Sequence, residues 1–191
     1  MRHGEPVGGS LFRGNGVDDP LSDRGWQQMR ESAAAITGWQ RIVSSPMRRC
    51  IEFARWLAAE RDLPLEVQKD LKEVGFGTWE GVMREQLRRE RPAEYEAFYR
   101  DPVHNRPAGA EPLEAFGARV GAVFDQLVAR YPGQHLLVVC HAGVIRGTFG
   151  HVTRAPAVNW YRTEVDNAAV TRFADDRRGT RLLVHNWRPR L

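Results

Sequence analysis

Cysteine is scarce in this chain of 191 residues: there are two, Cys50 and Cys140, and they form no CxxC pair. That excludes a disulfide framework and a thiolate zinc site, and it fits a reducing cytoplasm. Long apolar runs are missing too. The longest, such as residues 136–140, fall far short of the roughly 20 residues that span a bilayer. No apolar stretch follows the basic residue of the N-terminal MRHGEP, so neither a membrane anchor nor a signal peptide is expected. Lysine is nearly absent, and Lys+Arg 28 against Asp+Glu 24 is carried almost entirely by arginine. A net charge of +4 attracts small anions but is too small to argue for nucleic acid or a membrane surface as partner. The histidines His104, His135, His151 and His185 show no HxH or HExxH spacing, so no metal site and no zinc hydrolase is expected.

Hydrophobic residues at 42% and charged residues at 27% are a globular balance. No repeat or polar tract breaks the chain, which at roughly 150 residues per domain is read as one domain over 1–191. Ser22 is placed to cap a helix running through Ile36. Residues 41–45 (RIVSS) are a short β-branched run ending at Pro46, and a helix follows from Met47 with Ile51, Ala54 and Leu57 on one face. A charged stretch within residues 80–110, split by Pro92, predicts two short helices in an excursion from the core. Leu113, Phe116, Val120, Val123, Phe124 and Leu127 form one helical stripe, and residues 135–140 (HLLVVC) read as a strand covered on both faces. Residues 168–173 and 181–185 predict two more strands. Strands alternating with helices give an α/β fold with a largely parallel sheet. Such a series should open with a strand, yet the chain begins at Met1-Arg2-His3. Either the sheet does without its first strand or it is cut short, and His3 near a terminus is expected to fray.

In parallel sheets ligands bind at the carboxyl ends of the strands, beside helix N-termini. Three segments fall at such ends: Arg2-His3-Gly4-Glu5, residues 44–49 (SSPMRR) and His141-Ala142-Gly143. Arginine forks pair with phosphate oxygens, and a neutral imidazole is a nucleophile able to form a covalent intermediate. Phosphoryl transfer needs mainly positioning and charge neutralisation, which these residues supply without a metal or other cofactor. Glu73, on a Gly-rich loop beside aromatic residues, is the best proton donor for the leaving oxygen. Glu80 and Glu111 also stand near loop ends.

RHGE (2–5), SSPMRRC (44–50), LKEVGFGTWEG (71–81) and VVCHAGVIR (138–146) resemble, in this order, the motifs of the histidine phosphatase superfamily. The resemblance implies a three-layer α/β/α sandwich with a helical excursion over the active site. It further implies that His3 is the phosphorylated nucleophile and that Arg2, Arg49 (rather than Arg48) and His141 bind the phosphate. Glu73 would protonate the leaving alcohol and then deprotonate the attacking water. The details RHGEPVGG, the FRG of residues 12–14, DDPLSDRGW (18–26) and RCIEFA (49–54) look most like α-ribazole phosphatase-type members of cobalamin synthesis. That resemblance implies a cytoplasmic phosphomonoesterase acting on α-ribazole 5′-phosphate or another small phosphorylated substrate. Gly8-Gly9 stand where phosphoglycerate mutases usually carry an Asn, which favours a phosphatase. A mutase-like or broad phosphatase is the alternative enzyme, and an inactive relative binding phosphorylated ligands is the alternative from another class.

Overall fold

Three short apolar and β-branched runs lie side by side in the computed structural model, which describes residues 1–189. β1 (Arg41–Ser44) is central, parallel to β2 (Leu65–Val67) on one flank and β3 (Leu136–Val139) on the other. Ile42 stands opposite Leu65 and Leu137. Neighbouring side chains on a strand point to opposite faces, and both faces are covered here. Ile42, Leu137 and Val139 join the apolar cluster of α1 (Asp23–Ala34) and α2 (Arg48–Arg61). Val43 and Cys140 join the cluster of α5 (Leu113–Arg130) and α6 (Ala142–Thr153). The result is the expected mixed α/β architecture, a mostly parallel sheet flanked by helices.

The expected fraying of the N-terminus is not what the structure shows. Residues 1–3 occupy a place inside the sheet, bonded on both edges. On the β3 side, the Met1 amine donates to the Val138 carbonyl at 2.7 Å, Cys140 N–H to Met1 at 3.0 Å, and His3 N–H to Cys140 at 2.9 Å. On the other edge, Arg2 N–H donates to Ala169 and Ala168 N–H to His3, at 3.0 and 3.1 Å. Met1 and His3 are both buried. Backbone bonding to two neighbours holds these residues in the sheet.

The last two expected strands are present. β4 (Val170–Asp176) and β5 (Gly179–Trp187) form an antiparallel hairpin, a two-stranded sheet of their own. A two-residue turn, with Gly179 at φ 94°, can join only antiparallel strands, because a parallel connection needs a crossover of a dozen residues or more.

The helices start where their local chemistry directs. The Ser22 hydroxyl accepts from Gly25 N–H at 3.0 Å and opens α1, as its N-cap position predicts. α1 lies flush against the RHGE segment: a Cβ on Gly25 would stand 2.0 Å from the Glu5 carbonyl oxygen. Pro92 begins α4 (Pro92–Arg100) after α3 (Arg84–Glu90), which divides the excursion as expected. The excursion is fastened to the Glu73 loop by the buried Trp79, whose indole N–H donates to Glu94 at 2.6 Å. Phe98 adds ring contacts to Phe76 at 6.0 Å and Tyr161 at 5.0 Å.

Candidate active site

Parallel strands end on one edge of the sheet, and that edge collects residues from all three sequence segments. His3 is 5% exposed and His141 fully buried, with ring centres 5.2 Å apart in an edge-on arrangement. His3 Nδ1 lies 2.7 Å from the Gly4 carbonyl oxygen. A carbonyl only accepts, so Nδ1 carries the proton and Nε2 keeps a free lone pair. His141 Nε2 lies 2.8 Å from the Ser45 hydroxyl.

Burial pushes both imidazoles well below the ordinary 6.5, and the charges of Arg2 and Arg49 push His3 further. For His141, Arg49 adds to burial in the same direction. Both rings are therefore neutral near pH 7. A folded-state pKa below the unfolded one means that the unfolded chain takes up protons first as pH falls. Stability is thus full above about pH 6.5 and is lost below it, by up to about 1.4 kcal/mol per pH unit for each buried histidine. Burial lowers the partly buried His135 in the same sense. Urea unfolding between pH 7.5 and 5.5 is expected to show this decline, and an unchanged midpoint would contradict it.

Arg49, 1% exposed, donates to the Val17 and Gly14 carbonyls, both at 2.9 Å, and its buried Nε has no protein acceptor. Arg48 is exposed and paired with Glu52 at 2.8 Å, so the neighbouring arginines lie in different surroundings. Arg2 donates to the Val165 carbonyl at 2.6 Å. Burial lowers its pKa to about 10, which leaves it charged at neutral pH.

Glu73 accepts from Val74 N–H at 3.0 Å and from Gly143 N–H, in the first turn of α6, at 3.2 Å. A Cβ on Gly143 would stand 2.2 Å from the Glu73 carboxylate, so the glycine makes room for it. The competing carboxylates are occupied by structure. Glu80 accepts from Phe76 and Gly16 N–H at 2.8 and 2.9 Å. Glu111 is paired with Arg119 at 2.7 and 2.9 Å.

All five residues expected from the sequence thus gather at one edge. Two others had been given no role. Ser45 orients His141, and the SSP segment quoted above contained the signal, a hydroxyl at a strand end. Arg13 is buried, paired with Asp19 at 2.9 Å, and near enough for its charge to lower His3. An arginine beside Phe12 in the loop after RHGE was the available sign.

The geometry combines an imidazole with a free Nε2, a second neutral imidazole, buried guanidinium groups and a carboxyl at a helix start. That set can bind a phosphoryl group and move a proton. Among the described residues, no three His, Cys, Asp or Glu side chains are grouped to hold a metal ion.

Residues 1–188 match the family model described as histidine phosphatase superfamily (branch 1). The adenosylcobalamin/alpha-ribazole phosphatase of Escherichia coli is 28% identical, the match covering 98% of this chain and 94% of that one. A mycobacterial glucosyl-3-phosphoglycerate phosphatase, solved in complex with VO3, is 28% identical with a TM-score of 0.86, covering 97% of this chain and 96% of its own. A putative alpha-ribazole-5'-P phosphatase structure from Escherichia coli is 27% identical, with a TM-score of 0.83 over 98% of this chain and 94% of that chain. The chain belongs to the histidine phosphatase superfamily, branch 1, and is a phosphatase.

Proposed function

We propose that the chain is a metal-independent phosphomonoesterase working through a phosphohistidine at His3. The observation that carries this reading is the His3 tautomer: Nδ1 is committed to Gly4 and Nε2 is left free among buried arginines. Nε2 attacks phosphorus, and the ester P–O bond breaks as Glu73 passes a proton to the departing oxygen. Water then attacks the phosphoryl group, Glu73 takes its proton, and the P–N bond breaks to release phosphate and regenerate His3. Arg2, Arg49 and His141 hold the oxygens, and the two guanidinium groups do the charge neutralisation that a metal does elsewhere.

The relatives' names support α-ribazole 5′-phosphate as substrate, and with it a role in cobalamin biosynthesis. That ester has a neutral nucleoside as its alcohol. A second reading, a phosphoester whose alcohol bears an acid group, is favoured by one observation: Arg106 lies beside the Glu73 loop with two buried nitrogens that meet no protein acceptor. The free buried thiols Cys50 and Cys140 support a cytoplasmic location. No described helix is long and apolar enough to cross a membrane.

Phosphate release from p-nitrophenyl phosphate and α-ribazole 5′-phosphate, with EDTA present, tests the reading. Undiminished turnover in EDTA is expected, whereas loss of turnover that returns with added divalent metal would refute metal independence.

A further inference from the structure

The Arg2 guanidinium, which the proposed mechanism uses to hold phosphate oxygens, has one nitrogen already engaged. Its Nη1 donates to the Val165 carbonyl at 2.6 Å, and its buried Nε meets no protein acceptor. An arginine side chain has many rotamers, and a carbonyl selects among them only if it is itself held in place. Residues 163–169 lie in no helix or strand, so no ladder fixes Val165. The ends of the segment are tied. Arg146, on α6, donates to the Thr163 carbonyl at 3.0 Å. Ala168 N–H donates to the His3 carbonyl and Arg2 N–H to that of Ala169.

The residues on either side of Val165 are both held by β5. Glu164 offers its carbonyl to His185 Nε2 at 2.8 Å, which leaves Nδ1 to accept from the Thr171 hydroxyl at 3.1 Å. Asp166 N–H donates to the Asn186 amide oxygen at 2.7 Å, and the Asn186 amide nitrogen donates to the Asp166 carboxylate at 3.2 Å. That carboxylate is among the charges that favour the Arg2 cation. Neighbouring side chains of a regular strand point to opposite faces, so in an unbroken strand His185 and Asn186 would be turned apart. β5 is broken at this point. Val170 stands opposite Trp187 and Arg172 opposite Val184, so β5 takes three steps where β4 takes two. Asn186 has φ 53°, a left-handed conformation that asparagine tolerates better than most residues. Bulges re-aim side chains in this way beside active sites.

We propose that Asn186, with His185 beside it, is a positioning residue for phosphate binding. Through residues 164–166 it holds the Val165 carbonyl, and so the Arg2 guanidinium, in the geometry that receives a phosphoryl oxygen. The inference rests on the proposed role of Arg2, since Asn186 acts through Arg2 and not on the substrate itself.

Equilibrium binding of inorganic phosphate, followed by titration calorimetry, tests this with four chains: the parent, Asn186→Gly, Arg2→Gln and the double variant. Glycine keeps the left-handed backbone and removes only the amide. Asn186→Gly is expected to weaken phosphate binding by about three- to tenfold, with the number of binding sites unchanged. Arg2→Gln should weaken it by at least about tenfold. With Arg2→Gln already present, the glycine should change the affinity by less than about twofold, because the group it acts through is gone. A merely structural role would lower the unfolding midpoint and the fraction of chain that binds, and leave the affinity of the folded chain unchanged. That result, or an equal loss with and without Arg2, would overturn the positioning role and leave the phosphatase reading intact. Unweakened binding by Arg2→Gln would overturn the phosphate-binding role of Arg2, and this inference with it. Should the glycine chain fail to fold, His185→Ala frees the Glu164 carbonyl on the other flank and is expected to give the same pattern. Unchanged affinity there would overturn the proposal.

Discussion

Replacing His3 with alanine is expected to lower turnover of any phosphomonoester by at least about a thousandfold, since no other group can take over the covalent step. His141, the second imidazole, has its Nε2 against Ser45 and sits deeper, fully buried. Its Nε2 is engaged by a hydroxyl, where His3 Nε2 has no such partner. Loss of the fold would be a trivial cause, and two observations argue against it. The backbone bonds of His3 to Cys140 and Ala168 do not involve the side chain. The variant also removes a buried imidazole whose only polar contact is with its own neighbour Gly4. A His3→Ala chain with an unchanged thermal unfolding profile and undiminished phosphate release would rule out the nucleophile assignment.

Glu73→Gln is expected to act differently on the two halves of the reaction. An alkyl phosphate needs its leaving oxygen protonated, so its kcat should fall by about 10²–10⁴-fold. p-Nitrophenol leaves as the phenolate without a proton, so phosphorylation of His3 by its ester should proceed. Hydrolysis of the phosphohistidine still needs a base for the water and should slow. The expected result is a burst of p-nitrophenolate, stoichiometric with enzyme, followed by a slow steady state. The amide keeps an acceptor oxygen for Val74 or Gly143 N–H, so the loop should stay in place. Equal losses for alkyl and aryl esters, with no burst, would remove Glu73 from proton transfer.

What could be read in advance was local. The Ser22 cap, the Pro92 break, the apolar stripe of α5 and the two buried strands β1 and β3 each announce themselves within a few residues, and each was where the pattern put it. The place of residues 1–3 in the sheet was not legible, because it depends on bonds to residues 138–140 and 168–169. The antiparallel pairing of β4 and β5 follows from the two residues that separate them, too few for a parallel crossover. β2 is three residues long and carries too little pattern to recognise.

The site divides in the same way. His3, Arg49, His141 and Glu73 stand at strand ends or on a Gly-rich loop, where the sequence can place them. Arg106 takes its place only from Gly75 and Tyr161, and Arg13 only from Asp19. Such residues read as ordinary surface charge until distant segments are folded against them.

The most direct measurement is a rapid quench of the Glu73→Gln chain with p-nitrophenyl phosphate, followed by mass analysis of its N-terminal peptide under conditions that preserve acid-labile phosphate. One added phosphoryl group on His3, lost on acid treatment, is the expected result. A stoichiometric burst with the phosphoryl group on any other residue, or on none, would contradict the phosphohistidine mechanism.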